Sequence, residues 1–240
     1  MKNRYLIALD IDGTVLREDG SLGDSTVAEI GRLRDAGHEI MLATGRSVAM
    51  TLPVLDRLGI TPQYVVCSNG AITLRRDSSQ PLGYAREYVE TFDPSEVLQT
   101  IKGSLDDAHY AVEDENGLYR FTGYFPDGAL GANSIKVDFD ELLARPATRV
   151  VVISPEHAIE DFLSIVEKMG LHRVSYNVGW TAWLDSDPAD GRNDIDMLEW
   201  AAAGGVGVAM GQAPDEVVAA ANARTDSDLN DGVATYLSTL

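Results

Sequence analysis

Residues 5–14 read YLIALDIDGT, an apolar run that ends in two acidic residues and a glycine. A continuous run of this kind is typical of a β-strand covered on both faces, as in a parallel sheet. Because side chains alternate along a strand, Asp10 and Asp12 are expected on the same side, and Gly13 permits a sharp exit of the chain. Two carboxylates at the tip of a buried strand are costly unless a cation compensates them, which suits Mg²⁺. The alternative is a plain Asp12-Gly13 turn beside a solvated Asp10.

Two further apolar runs, at 39–43 and 64–67, end in polar turns that contain glycine, TGR at 44–46 and SNG at 68–70. Helical patterns alternate with these runs, and another strand candidate follows at 206–210. The alternation predicts an α/β fold with a Rossmann-like core of parallel strands. The turns after such strands lie at one edge of the sheet, where open α/β sheets bind their ligands.

The middle of the chain differs, because its strand candidates are polar and alternating, which is typical of antiparallel strands with one solvated face. We therefore predict an inserted α+β cap domain at 78–178 with a small core of its own. The core domain then consists of 1–77 and 179–240.

The composition excludes several classes of protein. The chain has 240 residues, with 19 Lys and Arg against 38 Asp and Glu and a net charge of −19, so its surface repels nucleic acid and anionic lipid. The single cysteine, Cys67, excludes a disulfide framework, and no apolar run approaches the roughly 18 residues of a membrane span. We expect a cytoplasmic protein, monomeric or homodimeric, whose partner is a small molecule rather than nucleic acid or a membrane.

The ordered motifs resemble those of the haloacid dehalogenase (HAD) superfamily of phosphohydrolases, and especially its Cof-type branch with a large α/β cap. The sequence at 10–14 is similar to the first motif, and the turns at 44–46 and 69–70 are similar to the signatures that follow the second and third strands. The sequence GRNDIDML at 191–198 resembles the fourth motif, and GVAMG at 207–211 resembles the stretch after it.

The resemblance implies a phosphatase that uses Mg²⁺ and a covalent intermediate. Asp10 would attack phosphorus and Asp12 would act as general acid and base. Thr44 with the Gly45 amide would hold the phosphoryl group, and Arg46 and Asn69 would contact phosphate or the rest of the substrate. The resemblance implies the following metal ligands: Asp10, Asp12, Asp190 and Asp194. Asn193 would orient the last two and complete the phosphate- and substrate-binding set.

The chain departs from the family in its basic residues. The family's third motif supplies a Lys that neutralises the phosphate and the nucleophile. The only lysines here are Lys2, Lys102, Lys136 and Lys168, and none lies between the insertion and Asn193. Losing one preorganised charge of this kind costs on the order of 10²–10³ in rate.

The strand that normally carries the fourth-motif aspartate is missing as well. The segment 180–184 reads as a strand, and only residues 185–189 separate it from Asp190. A parallel crossover needs roughly a dozen residues, so a helix and a strand are absent. Either 180–184 fills the vacant slot beside the first strand and brings Asp185 or Asp187 to its end, which we prefer, or the slot stays empty and a loop holds Asp190.

Two functions from different classes follow. The first is a Mg²⁺-dependent phosphatase of a small phosphorylated metabolite, such as a sugar phosphate, that acts through an aspartyl-phosphate. The second is a catalytically impaired relative that binds Mg²⁺ or a phosphoester without efficient turnover. A phospho-accepting receiver domain ranks last, because it gives no reason for so large an insertion.

Overall fold

The computed structural model describes residues 4–17, 19–105, 107–126, 129–131, 133–154, 182–186 and 194–240, with 182–186 described as backbone alone. The chain divides into two compact units. The core unit comprises 1–46, 50–87 and 193–240, and the inserted unit comprises 47–49 and 88–192. None of the helices in the described residues has the length and apolar character needed to cross a membrane.

The described helices and strands are, in chain order, β1 (Leu6–Leu9), α1 (Asp24–Asp35), β2 (Glu39–Leu42), α2 (Val48–Leu58), β3 (Tyr64–Cys67), β4 (Ile72–Arg76), β5 (Tyr84–Val89), α3 (Ser95–Lys102), β6 (His109–Glu113), β7 (Tyr119–Phe121), β8 (Ser134–Lys136), α4 (Phe139–Leu142), β9 (Arg149–Ser154), β10 (Ala182–Ser186), α5 (Ile195–Gly204), β11 (Val208–Ala209), α6 (Asp215–Ala220), β12 (Ala223–Arg224) and α7 (Gly232–Leu237).

The core unit is built on parallel strands. Strands β1 and β2 run parallel, with Leu9 opposite Leu42, and a parallel bridge between Ala43 and Val66 continues the order to β3. Strands β11 and β12 form a second parallel pair. The predicted Rossmann-like α/β core is therefore confirmed, and the loops after β1, β2 and β3 leave the sheet at the same edge.

Helix α1 follows the pattern that its sequence predicts. Ile30 and Leu33 are buried at helical spacing, and Asp24 in the first turn and Arg34 in the last complement the helix dipole. Gly37 follows the helix with a φ of 90°, a conformation that glycine adopts without strain. The chain then enters β2 directly.

The core unit continues past the predicted limit at 77/78. Strand β4 pairs antiparallel with β3, and β5 extends the same three-stranded sheet. The compact units therefore divide after Glu87 and before Asn193, whereas the domain limits at 77/78 and 178/179 stay predictions.

The free edge of β1 is exposed. Within the described residues, β1 pairs with β2 alone, and β11 pairs with β12 rather than with β1. Tyr5 and Leu6 keep 43% and 57% of their surface exposed, although both belong to the apolar run. The described residues thus leave open the slot where the family's fourth-motif strand is expected.

The prediction that residues 180–184 fill this slot is wrong. Strand β10 pairs antiparallel with β9, with Trp183 opposite Ile153 and Asp185 opposite Val151. In this register, β10 forms its backbone hydrogen bonds with β9 inside the inserted unit. Its backbone groups therefore do not need a partner strand in the core sheet. Asp185 therefore cannot supply the fourth-motif carboxylate from the end of a core strand. Asp187 and Asp190 lie outside the described residues.

The inserted unit is an α+β layer, as predicted. Its five-stranded sheet has the order β10-β9-β6-β7-β8, antiparallel except for the last pair. One face, which includes Tyr110 and Val152, packs on Leu98 and Ile101 of α3. The other face forms a second cluster around Tyr119. Alternate strand residues thus enter two small cores.

Candidate active site

Backbone hydrogen bonds join the loops that follow β2 and β3. The Thr44 amide donates to the Val66 carbonyl at 3.1 Å, and the Asn69 amide donates to the Thr44 carbonyl at 3.1 Å. The Ser68 amide donates to the Arg46 carbonyl at 2.9 Å. Ser68 and Asn69 both adopt φ values of 50°, which turns the chain sharply enough to make these bonds. The structure thereby brings together Thr44, Arg46 and Asn69, as the sequence predicts.

Asp10 follows β1 directly and bonds to the buried Thr44. The Thr44 hydroxyl and the Ile11 amide donate to its carboxyl group, which lowers its pKa. Burial of the carboxyl group and the nearby negative charge of Asp194 raise the pKa, and the charge of Asp12 raises it by a smaller amount. Together these effects outweigh the two hydrogen bonds. The pKa of Asp10 is therefore well above its usual range. A carboxyl group in this state favours a proton or a cation as its partner.

Asp194 lies immediately before α5 and comes close enough to Asp10 for their charges to interact. Its carbonyl accepts the Leu198 amide at 2.8 Å, which begins the helix. Burial raises the pKa of Asp194 above its usual range. Two carboxylates that are 184 positions apart in sequence are thus packed into one poorly solvated site. A cation bound there would compensate the negative charge of both.

Asp12 is held by Arg46 in a two-pronged ion pair. Arg46 Nε donates to Asp12 Oδ2 at 2.8 Å, and Nη2 donates to Oδ1 at 2.5 Å. The Asp12 side chain is 60% exposed and that of Arg46 is 22% exposed. The hydrogen bonds that Arg46 donates to Asp12 are the main reason that the pKa of Arg46 is raised. The guanidinium group therefore stays charged at the edge of the site.

Asn69 and Ser68 each bury a polar side-chain atom. Asn69 Oδ1 and Ser68 Oγ are buried and lack a hydrogen-bond partner. A buried polar atom without a partner costs roughly 1–3 kcal/mol, so a ligand that contacts it gains that much. Gly45, which lies between Thr44 and Arg46 in the sequence, is half-buried.

The described metal-binding set is smaller than the predicted one. Asp190 and Asn193 lie outside the described residues, and Asp12 is engaged by Arg46. No group of three or more His, Cys, Asp or Glu side chains in the described part of the chain is arranged to hold a metal ion. Asp10 and Asp194 are the predicted ligands that the structure brings together.

Sequence reasoning missed a set of contacts behind the first-motif turn. The Gln212 side chain bonds to the Gly13 carbonyl and the Asp228 amide, and Arg17 donates to the Asp228 carbonyl at 3.3 Å and to Asp231 at 2.7 Å. Asp228 Oδ2 is buried without a partner. No local sequence pattern indicates contacts between residues about 200 positions apart.

Comparison with known proteins identifies the family. A sequence model described as haloacid dehalogenase-like hydrolase matches residues 7–174 and 190–237. The match thus extends over most of the chain and is interrupted at 175–189, the part that departs from the family's pattern.

Two curated relatives are phosphatases. The 5-amino-6-(5-phospho-D-ribitylamino)uracil phosphatase YitU of Bacillus subtilis is 28% identical over 269 positions, which cover 97% of this chain and 96% of YitU. The pyridoxal phosphate phosphatase YbhA of Escherichia coli is 26% identical over 277 positions, which cover 97% of each chain. Both alignments are longer than the 240 residues of this chain, so each relative contains residues without a counterpart here.

Solved structures have the same fold. The sugar phosphatase BT4131 of HAD subclass IIB matches with a TM-score of 0.74 at 19% identity, covering 99% of this chain and 98% of that one. A haloacid dehalogenase-like hydrolase from Bacillus subtilis also has a TM-score of 0.74 at 19% identity, covering 98% and 99%. With the family model matched along most of its length, the chain belongs to the haloacid dehalogenase-like hydrolases.

Proposed function

We propose that this protein is a Mg²⁺-dependent phosphatase that hydrolyses a small phosphorylated metabolite through an aspartyl-phosphate on Asp10. The observation that carries the proposal is the environment of Asp10, which lies at the end of β1, accepts the Thr44 hydroxyl and faces the charge of Asp194. A hydroxyl donor and a second carboxylate around one buried carboxylate are what a nucleophile needs if a cation and a phosphoryl group are to bind beside it.

The proposed reaction has two balanced steps. An oxygen of Asp10 attacks phosphorus, the bond from phosphorus to the leaving oxygen breaks, and Asp12 gives its proton to that oxygen. Water then attacks the phosphorus, Asp12 takes a proton from the water, and the bond between phosphorus and Asp10 breaks. Inorganic phosphate leaves, and Asp12 has recovered its proton.

The residues around Asp10 fit Mg²⁺. Mg²⁺ in proteins is bound through one or two carboxylates, with water and substrate phosphate as the other ligands. Asp10 and Asp194 are two such carboxylates, and both have raised pKa values because burial leaves their charge uncompensated. Bound Mg²⁺ would keep both carboxylates ionised and offset the charge of the phosphoryl group. Asp12 and Asp190 are the further proposed ligands.

The remaining site residues have proposed binding roles. Thr44 and the Gly45 amide hold the phosphoryl oxygens, and Asn69 offers a buried side chain with an unpartnered oxygen. Arg46 contacts phosphate or the rest of the substrate, and Asn193 orients the carboxylates beside it.

The relatives support a small phosphate monoester as the substrate. Their names specify a phosphorylated ribitylaminouracil and pyridoxal phosphate, and a fold neighbour is a sugar phosphatase. The net charge of −19 supports the absence of nucleic acid and anionic lipid from its partners. A cytoplasmic location and a monomeric or homodimeric state remain part of the proposal.

A second candidate function is Mg²⁺ or phosphoester binding without efficient turnover. It is favoured by the missing third-motif lysine and by Arg46, which is paired with Asp12. An Asp12 that stays bound to Arg46 could not transfer protons.

One experiment separates the two candidates. Phosphate release is measured from a panel of sugar phosphates, pyridoxal phosphate and other small monoesters, with Mg²⁺ or with EDTA, for the wild type and Asp10→Asn. We expect turnover that requires Mg²⁺ and is lost in the variant. A wild type that binds Mg²⁺ or phosphate but releases none would support the second candidate instead.

A further inference from the structure

We propose that Arg46 supplies the positive charge that the absent third-motif lysine brings in the family, by moving its guanidinium fork from Asp12 to the transferring phosphoryl group. This inference rests on the proposed function and concerns the same site. It assigns Arg46 two partners in turn, first Asp12 and then the oxygens of the phosphoryl group.

Two of the four lysines lie in the described residues, and both belong to the inserted unit. Lys102 lies over the ring of Phe139, 3.7 Å from its centroid, and Lys136 is exposed on β8, both in the inserted unit. Lys2 and Lys168 lie outside the described residues. The described residues of the core unit therefore contain no lysine at all. Arg46 is a cationic side chain that the structure places beside Asp12 at this site.

Arg46 is positioned by the loops that hold the phosphoryl group. Its amide donates to Thr44 Oγ1 at 3.3 Å, and its carbonyl accepts the Ser68 amide at 2.9 Å. The backbone of Arg46 is thus fixed by hydrogen bonds to Thr44 and Ser68, and its guanidinium group extends to Asp12. The charge of Asp10 also reaches the Arg46 guanidinium and contributes to its raised pKa.

The exchange of partners is favourable for two reasons. The Asp12 carboxylate is 60% exposed, so water offsets part of the cost of breaking its two-pronged pair with Arg46. A guanidinium fork matches the oxygens of a phosphate as well as those of a carboxylate, and the phosphoryl group carries more charge. The exchange also releases Asp12, which must be free to carry protons. The same movement therefore places positive charge beside the phosphoryl group and frees Asp12 to act as the general acid.

Arg192 is the alternative source of charge, because it belongs to the fourth-motif sequence at 191–198. It lies outside the described residues. Its contribution can be measured in the same experiment as that of Arg46. Arg75 provides a matched control, since it is an exposed arginine of the core unit that pairs with Glu87 at 2.8 Å.

The test is a double-mutant cycle on the binding of inorganic phosphate. Calorimetry measures the affinity of each variant for phosphate with Mg²⁺ present. The variants are Arg46→Ala, Arg46→Lys, Asp12→Asn, the double variant Asp12→Asn with Arg46→Ala, Arg192→Ala and Arg75→Ala. We expect Arg46→Ala to weaken phosphate binding at least about 10-fold in both the wild-type and the Asp12→Asn backgrounds, because the charge acts on phosphate itself. Arg46→Lys should retain part of the affinity, and Arg75→Ala should retain all of it.

Three results would overturn the inference. The first is a loss on Arg46→Ala that disappears in the Asp12→Asn background, which would show that Arg46 acts only through Asp12. The second is a loss on Arg192→Ala with none on Arg46→Ala. The third is a wild type that does not bind phosphate. Thermal unfolding of each variant identifies any that fails to fold, and Arg46→Lys then carries the comparison.

Turnover distinguishes failure of this inference from failure of the proposed function. If phosphate binding depends on Arg46 but hydrolysis is absent, the proposed function fails and the inference stands. If hydrolysis occurs, Arg46→Ala should lower kcat/KM by about 10²–10³-fold, the usual effect of removing one preorganised charge. Hydrolysis that is unchanged in Arg46→Ala would reject the inference alone.

Discussion

The Gln212 side-chain amide donates a hydrogen bond to the Gly13 carbonyl at 2.5 Å, across 199 positions of sequence. Its oxygen accepts the Asp228 amide at 3.2 Å. One side chain thus joins the turn that carries Asp10 and Asp12 to the C-terminal part of the core unit. No described strand pairs with the free edge of β1, so this contact helps to hold the turn in place.

Replacing Gln212 should therefore impair catalysis more than stability. A displacement of about 1 Å in a catalytic group can cost 10²-fold in rate, whereas one hydrogen bond contributes about 1 kcal/mol to stability. We expect Gln212→Ala to lower kcat by about 10-fold or more with little change in KM, measured by steady-state phosphate release. Gln212→Glu, which keeps the acceptor for Asp228 but loses the donor, should resemble it, whereas exposed Gln99→Ala should not. Equal activity in all three variants would show that the hydrogen bond between Gln212 and Gly13 is not needed for catalysis.

The hydroxyl of Thr44 should matter more than its shape. Thr44→Val keeps the volume but removes both the donor to Asp10 and the acceptor of the Arg46 amide. We expect kcat/KM to fall by about 10²-fold, as for the loss of one oriented donor. Thr44→Ser should keep most of the activity, and Thr61→Val, at an exposed site, should have no effect. A Thr44→Val variant as active as the wild type would show that the hydroxyl is dispensable.

The stability of the metal-free protein should depend on Asp10 and Asp194 in a defined direction. Burial raises both pKa values, so the folded state holds protons that the unfolded state has released. Their contribution to the free energy of unfolding is therefore largest below the ordinary carboxyl pKa of about 4 and declines as pH rises through the folded-state pKa values. At neutral pH, Asp10→Asn and Asp194→Asn should thus be more stable than the wild type.

Thermal unfolding of the wild type and both variants, in EDTA between pH 5 and pH 8, measures this effect. A gain of about 1 kcal/mol corresponds to about 2–4 °C in Tm for a protein of this size. The difference between wild type and variant should widen as pH rises, and Mg²⁺ should raise the Tm of the wild type more than that of either variant. A constant difference across this range would contradict the raised pKa values.

Gly232 should tolerate no side chain. A Cβ at this position would overlap the Asp226 carbonyl oxygen, which is backbone and cannot move aside. We expect Gly232→Ala to lower the free energy of unfolding by about 3 kcal/mol or more, at the upper end of overpacking costs. Gly204 at the end of α5 has open space around it, so Gly204→Ala should gain about 0.5 kcal/mol from helix propensity. Urea unfolding of both variants tests the contrast, and similar stabilities would refute it.

The local features of the fold could be predicted because they depend on neighbouring residues. The apolar runs that became β1, β2 and β3, and the turns after them, are each contained within a few positions. Parallel strands place such turns at one edge, so the contact between the loops of Thr44 and Asn69 follows from the pattern. The roles of Asp10 and Asp12 follow from the same pattern together with the family resemblance.

The partner of a strand could not be predicted in the same way. Residues 182–186 have the strand pattern, and the missing crossover leaves a vacant slot in the core, yet β10 pairs with β9. Alternation indicates that a segment is extended but carries no information on its partner, because any edge with free backbone groups can satisfy it. The register of Trp183 with Ile153 is therefore a property of the folded chain.

Residue type and order were enough to establish an α/β hydrolase of the haloacid dehalogenase-like family, with acidic residues at the end of its first strand and without the usual lysine. The folded structure was needed to establish that Arg46 is paired with Asp12, that Asp194 faces Asp10, and that Gln212 braces Gly13. Each of these contacts joins residues between about 30 and 200 positions apart. Their geometry is set by the packing of whole elements, since local propensity acts only over a few residues.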